Sequence, residues 1–318
     1  MLKRLLVRRF GLGLLTIWLV SVLVFLGTQV LPGNSAQAIL GKRSTPERLA
    51  AMEKQLHLDQ SVLQQYLNWL GGILTGDPGT SLASQQPVWH LLSDKIVNSA
   101  VLMLVAALIT IPLSILLGTW AAVRRDRAVD HAISTTTLVL AAVPEFVIGI
   151  LLVLTLATSV LQVFPAVSLL APGQYPWNHP AVMVLPALTL ILAATPYISR
   201  IMRGSMVEVL ESEYVQMARL KGMPGRTVIW RHAVPNALVP AVQVSALILA
   251  WMAGGVVLVE YVFAYPGVGG ALVDAVDNQD IPVVQFLALL AAVLYVTLNL
   301  AADVISILLT PRARTARA

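Results

Sequence analysis

The chain contains no cysteine and little charge. Asp, Glu, Lys and Arg together make up 12% of its 318 residues, and aromatic residues 6%. The lack of cysteine excludes disulfides, thiolate nucleophiles, iron–sulfur clusters and thiolate metal sites, while leaving the compartment open. The shortage of charge excludes an ordinary soluble domain, in which about a quarter of residues are charged. Also absent is a Gly-x-x-x-x-Gly-Lys-Ser/Thr phosphate loop, since the one Gly-Lys pair, Gly41-Lys42, is followed by Arg43. Neither Gly-x-Ser-x-Gly nor Gly-x-Gly-Asp occurs, which removes the common signatures of an intramembrane protease. No repeat or low-complexity tract is evident.

What is present is apolar: 57% of the residues are hydrophobic and the mean hydropathy is +0.79. Six stretches, 10–31, 99–122, 132–161, 181–199, 237–259 and 283–309, contain 145 residues and only two charges, Glu145 and Asp303. At 1.5 Å per residue each is long enough to cross a hydrocarbon core of about 30 Å. Helices satisfy their own backbone hydrogen bonds in lipid, so the expectation is an all-α integral membrane protein with six transmembrane helices. Ala36-Gln37-Ala38 after a basic start and an apolar run imitates a cleaved signal peptide. The 22-residue run exceeds the roughly 7–15 residues of a signal core, so a retained first helix is expected.

The position of the basic residues gives the topology. Sixteen of the 21 Lys and Arg lie at the N-terminus, in the turn Arg124–Arg127, in 200–231, or in the C-terminal tail, and the other five lie in the loop 32–98. The positive-inside rule therefore predicts that both termini are cytoplasmic. A net charge of +5 placed in this way marks membrane orientation and not a nucleic-acid partner. The predicted organisation is a cytoplasmic N-terminus and first span (1–31), an external loop (32–98) and a five-helix core (99–318) carrying a cytoplasmic segment, 200–235.

The external loop contains a helix start at Thr45-Pro46 and an amphipathic stretch of Val62, Leu63, Tyr66, Leu67, Trp69, Leu70 and Ile73. Gly76-Asp77-Pro78-Gly79 then supplies turn chemistry. Pro112, Pro144, Pro186 and Pro196 lie inside spans, where they predict kinks.

In the cytoplasmic segment, Ser205 and Glu208 have the spacing of a capping box, which predicts a helix start there. Val207, Leu210, Tyr214, Met217 and Leu220 form one face at helical spacing, and Glu208, Glu211, Ser212, Val215 and Arg219 the other. Gly222 suits a left-handed stop, with Pro224 beyond it, and a second short stretch, 226–233, is expected to end before Pro235. The residues alone allow either a docking projection or a helix lying on its own membrane.

Gln216-Met217-Ala218-x-x-x-Gly222, with Val234-Pro235 further on, resembles the EAA signature of permease subunits from bacterial ABC-type importers. The longer strings Tyr214–Gly222 and Arg231–Leu238 resemble the dipeptide, oligopeptide and nickel branch. Leu31-Pro32-Gly33-Asn34, Gly76–Ser81, Pro144-Glu145-Phe146, Glu260–Gly269 and Asp280–Gln285 extend the likeness over nearly the whole chain. Gln216 and Met217 depart from the general signature, so a role for its carboxylate does not carry over.

The resemblance implies the type I ABC importer permease fold in a bacterial inner membrane. It implies a second homologous permease subunit, two cytoplasmic ATPase subunits that bind ATP and Mg²⁺, and an external substrate-binding protein. This chain itself would hold no cofactor and no metal and would have no catalytic residues. ATPase coupling would fall to Tyr214, Gln216, Met217, Ala218, Arg219, Lys221, Gly222 and Pro235. Short peptides are the expected cargo, with nickel or a metal chelate as an alternative. Composition alone also suits a secondary transporter or channel. Four carboxylates are candidates for the pathway or a gate. Glu145 meets either a cationic group or a local partner at the kink. Glu260 anchors a loop or an outer gate, Asp280 lies at the external end of the last span, and Asp303 pairs with helix neighbours near Asn299.

Overall fold

The computed structural model describes residues 2–30, 60–170 and 173–309. The expected helix start at Thr45-Pro46 lies outside the described residues. Among those described, all regular structure is helical, apart from an isolated bridge between Thr80 and Pro87. The described residues of Met1–Ser99 and Pro266–Val296 form one compact unit, and those of Ala100–Tyr265 and Thr297–Ala318 a second.

The first unit begins with α1, Leu2–Val30, and α2, Val62–Leu74. Ser61 caps α2 by accepting from the Gln64 amide, and the Gln64 side chain accepts in return from the Ser61 amide, so two orphan donors are satisfied reciprocally. The aromatic face predicted from the spacing packs on α1: Tyr66 and Trp69 lie 5.4 and 5.7 Å from the Phe25 ring, and the Tyr66 and Ser21 hydroxyls are 2.8 Å apart. The turn after α2 is as its residues predict, with Gly76 and Gly79 at φ of +87° and +90° and the Asp77 carboxylate accepting from the Gly79 amide.

The helix α3, Val88–Val123, begins eleven residues before the expected span, so the tail of the predicted external loop is helical. It starts in the first unit and continues in the second, as α10, Ile281–Leu309, also does.

In the second unit the expected span 132–161 is not one helix. It is α4, Ala128–Ala142, and α5, Glu145–Leu152, bent by 106° and followed by a π turn, Val153–Thr158. Pro144 has no amide to donate and forces Val143 into extended backbone, ψ 127°. Pro112, Pro186 and Pro196 sit within continuous helices.

The helix α6, Ala181–Leu210, is central, with 67% of its apolar window buried against 11% for α1. It runs straight through Ser205–Glu208, so the predicted capping box is mid-helix and caps nothing. The interruption comes instead at Glu211-Ser212, before α7, Glu213–Leu220. The helix α8, Gly225–Val262, contains a π turn over Val228–Ala233 that leads into Pro235, so the short stretch expected to end there continues into the span. The remaining helix of the first unit is α9, Val268–Asp277.

The core of the second unit joins Leu102 and Ala106 of α3, Leu185, Leu190 and Ala194 of α6, and Met252, Val256 and Val259 of α8. Five described helices are long and apolar enough to cross a membrane, and the bent pair makes six if it counts as one span.

Candidate functional site

The short helix α7 is ended by a local stop signal. At the end of α7 the Gly222 amide donates to the Arg219 carbonyl at 2.9 Å and the Met223 amide to the Ala218 carbonyl at 3.3 Å. This is the paired pattern of a Schellman motif, and Gly222 supplies its left-handed residue at φ +74°. Its hydrophobic contact is present too, because Met223 packs with Val215, Ala218 and Val228.

The predicted faces of this segment change. Val215 and Ala218 are 0% and 5% exposed, whereas Tyr214, Met217 and Leu220 are 46%, 54% and 81% exposed. The break at Ser212 resets the helical phase, so a periodicity counted from Val207 through Leu220 does not describe one surface. Gln216, Arg219, Lys221 and Pro235 are exposed as well. The Gln216 amide donates back to the Glu211 carbonyl at 3.0 Å, tying α7 to the end of α6.

Two ion pairs connect this region to the first turn of α4 and to the turn between α3 and α4. Arg203 on α6 holds Asp130 with both prongs, Nε to Oδ1 and Nη2 to Oδ2, each at 2.6 Å. The Asp126 amide and the Ser134 hydroxyl also donate to this carboxylate, which is 2% exposed. Arg125 pairs with Glu211 at the very end of α6. Sequence reading gives neither pair: Arg125 and Arg203 enter it only through topology, Glu211 only as part of a helix face, and Asp130 not at all. The one local signal is Ser134, placed four residues after Asp130 on the same helix face.

The four carboxylates assigned to a pathway or gate have different surroundings. Glu145 opens α5, and its side chain fills the space left by Gly255 on α8. A Cβ there would lie 2.8 Å from both carboxylate oxygens. Its Oε2 is buried and accepts no hydrogen bond. Glu260 is fully buried in the last turn of α8, and its carbonyl accepts from the Tyr265 amide at 2.8 Å. Burial first, and the Glu260 charge second, raise the Tyr265 phenol above its usual range, so it remains a protonated donor at neutral pH. Asp303 is half-buried on α10, four residues after Asn299.

Asp280 belongs to the first unit and is an anchor. It accepts from the Ser81 hydroxyl, the Leu82 amide at 3.0 Å and the Ala83 amide at 3.5 Å, fixing the turn before α3. Beside it lies a cleft of about 250 Å³ lined in part by Ser84, Leu91, Lys95, Asp274 and Asn278. Asn98 and Ser99 hold the 266–268 turn through the Pro266 carbonyl and the Val268 amide, both at 2.9 Å.

Apolar crossings in two helical units, with a short exposed helix on a loop between spans, define a multi-pass membrane protein. The chain belongs to the family described as "Binding-protein-dependent transport system inner membrane component", which matches residues 114–315, and the corresponding N-terminal family matches 1–107. It is therefore a permease component of an ABC transport system in the inner membrane. It is 34% identical to a probable peptide ABC transporter permease protein of Sinorhizobium fredii, covering 93% of this chain and 94% of that one. A putative peptide transport system permease protein of Brucella melitensis is 33% identical and is covered to 99%, as is this chain. The glutathione transport system permease protein GsiC of Salmonella choleraesuis is 34% identical over 95% of this chain and 96% of its own.

Proposed function

We propose that this chain is the subunit through which an ATP-driven importer moves short peptides across the cytoplasmic membrane by alternating access, and that α7 is its ATPase-coupling helix. The observation that carries the coupling role is the placement of α7. The expected span ends at Ser199 and α6, Ala181–Leu210, continues eleven residues further, so about 16 Å of helix separates that expected end from α7. The interfacial layer on each side of a bilayer is only some 5–8 Å thick. A helix that far out, with Tyr214, Met217 and Leu220 exposed, meets a protein and not its own membrane.

Tyr214, Gln216, Met217, Arg219 and Lys221 form the contact surface, Ala218 and Gly222 shape it, and Pro235 with the π turn before it sets the entry into α8. ATP and Mg²⁺ are bound by two separate ATPase subunits, which fits the missing phosphate loop. An external binding protein delivers solute, and a second homologous permease subunit completes the pathway. Glu145 faces this pathway, Asp303 supports helix packing, and Glu260 and Asp280 hold external turns that serve as an outer gate. Both termini are cytoplasmic. Peptide cargo is supported by relatives named for peptides and for glutathione, itself a tripeptide.

The test is reconstitution of the permease pair, ATPase subunits and binding protein in liposomes. ATP-dependent uptake of a labelled dipeptide that stops when hydrolysis is blocked is the expected result. Uptake driven by an ion gradient without ATP overturns the reading. The cysteine-free chain also allows topology to be read directly: Gln86→Cys should react with an impermeant maleimide added outside, and Arg127→Cys only after permeabilisation.

A further inference from the structure

We propose that Asp130 and Arg203 are positioning residues for energy coupling, their two-pronged ion pair, buried on the carboxylate side, joining the cytoplasmic ends of α3, α4 and α6 into one rigid base that carries α7. The inference rests on the reading of α7 as the ATPase contact.

The geometry supports a load path and not a surface ornament. Both Asp130 oxygens are held by the planar guanidinium, and two further donors complete the carboxylate. A fork of this kind fixes orientation as well as distance, which a lysine ammonium does not. An ion pair with a buried carboxylate is rarely more stabilising than well-packed apolar residues of the same volume, so what this one supplies is a defined direction between α4 and α6.

Immediately beside it α3 touches α6 backbone to backbone. A Cβ on Gly118 would lie 2.5 Å from the Ser199 carbonyl oxygen, 2.7 Å from the Met202 Cβ and 3.0 Å from the Arg203 amide nitrogen. The turn that follows α3 then reaches α6 again through Arg125 and Glu211, eight residues or about 12 Å beyond Arg203. The outer pair is exposed on both partners, and such pairs hold weakly, so the fixed point is Asp130–Arg203. Ser212 and α7 begin directly after Glu211, so force applied to α7 enters α6 at its braced end.

The test uses the complete transporter in proteoliposomes and reads three quantities: the amount assembled, ATP hydrolysed and solute taken up. Removing the Arg203 charge leaves the Asp130 carboxylate, only 2% exposed, buried without its partner, so Arg203→Gln alone is expected to reduce assembly. The neutral pair Asp130→Asn/Arg203→Gln removes that penalty and should restore assembly. It should still consume about fivefold or more ATP per solute, within the roughly 2–30-fold range over which coupling residues act. Arg203→Lys, which keeps the charge and loses the fork, should assemble and show the same defect to a smaller degree. A wild-type ratio of ATP to solute in either assembled variant overturns the proposal. So does failure of both to assemble, which would make the pair a folding staple. If the wild-type chain neither binds the ATPase subunits nor supports ATP-dependent uptake, the reading of α7 fails instead, and the two failures are distinct.

Discussion

Replacing Gly222 tests whether backbone conformation, and not space, makes the end of α7. Gly222 sits at φ +74°, and nothing lies within 4 Å of where its Cβ would be. A side chain therefore meets no steric obstacle, and the whole cost is conformational. Holding an ordinary L-residue in the left-handed region costs about 1–2 kcal/mol, or about 5–30-fold in the population keeping the Schellman turn. Asn tolerates this region better than Ala, and a β-branched residue worse. The expected order of damage is thus Asn, then Ala, then Val, although Asn is larger than Ala. If crowding against a partner were the cause, Ala would be the mildest. The assay is solute uptake per ATP hydrolysed in assembled complexes, with the amount of permease in the membrane as a control. Wild-type coupling in an assembled Gly222→Val complex, or Asn more harmful than Ala, refutes the conformational account.

Three other substitutions separate packing from anchoring. Asp280→Ala leaves the Ser81 hydroxyl and the Leu82 and Ala83 amides without their acceptor, at a cost of about 2–4 kcal/mol, and should make the turn before α3 sensitive to external protease; unchanged cleavage sinks the anchor role. Gly118→Val drives a side chain into the α6 backbone and should abolish stable insertion, whereas Gly11→Ala, with open space around it, should be silent; comparing membrane levels of the two checks this. Gly255→Ala meets the Glu145 carboxylate first, at 2.8–2.9 Å, so adding Glu145→Ala should recover most of the lost thermal stability, and strictly additive effects refute the pairing.

Features encoded over a few residues were legible in the sequence. The spans follow from runs of apolar residues, α2 from its aromatic spacing, and the end of α7 from Gly222 and Pro224. Features that depend on distant neighbours were not. Ser205 and Glu208 match a capping box, but a cap forms only where a helix begins, and nothing local shows that α6 has not yet ended. Pro144 breaks its span by 106° while Pro112, Pro186 and Pro196 do not, although the residue type is the same. At the start of α5 the Glu145 side chain fills the notch of Gly255 on α8, a contact 110 residues away in the chain that no local rule supplies. The Asp130–Arg203 and Ser81–Asp280 pairs span 73 and 199 residues, separations at which no spacing rule operates.

The size of α7 explains why its supports are made differently from those of the spans. Eight residues are well short of the roughly 12–15 at which an isolated helix becomes even marginal in water, so α7 exists only because its surroundings hold it. Its own chain provides one side, Val215 and Ala218 against Val228, and a glycine stop at the end. The other side is Tyr214, Met217 and Leu220, exposed and apolar, a face that a monomer in water has no reason to keep. A helix supported on one face is easily ordered and easily released, which suits the proposed contact with a moving ATPase subunit. The proposed base beneath it must not yield, and there the chain places a glycine contact between backbones and a two-pronged ion pair whose buried carboxylate takes four donors. The scarce charge of this sequence is thus concentrated where direction has to be preserved, at the foot of α7, and nearly excluded from the spans, where charge is hardest to accommodate.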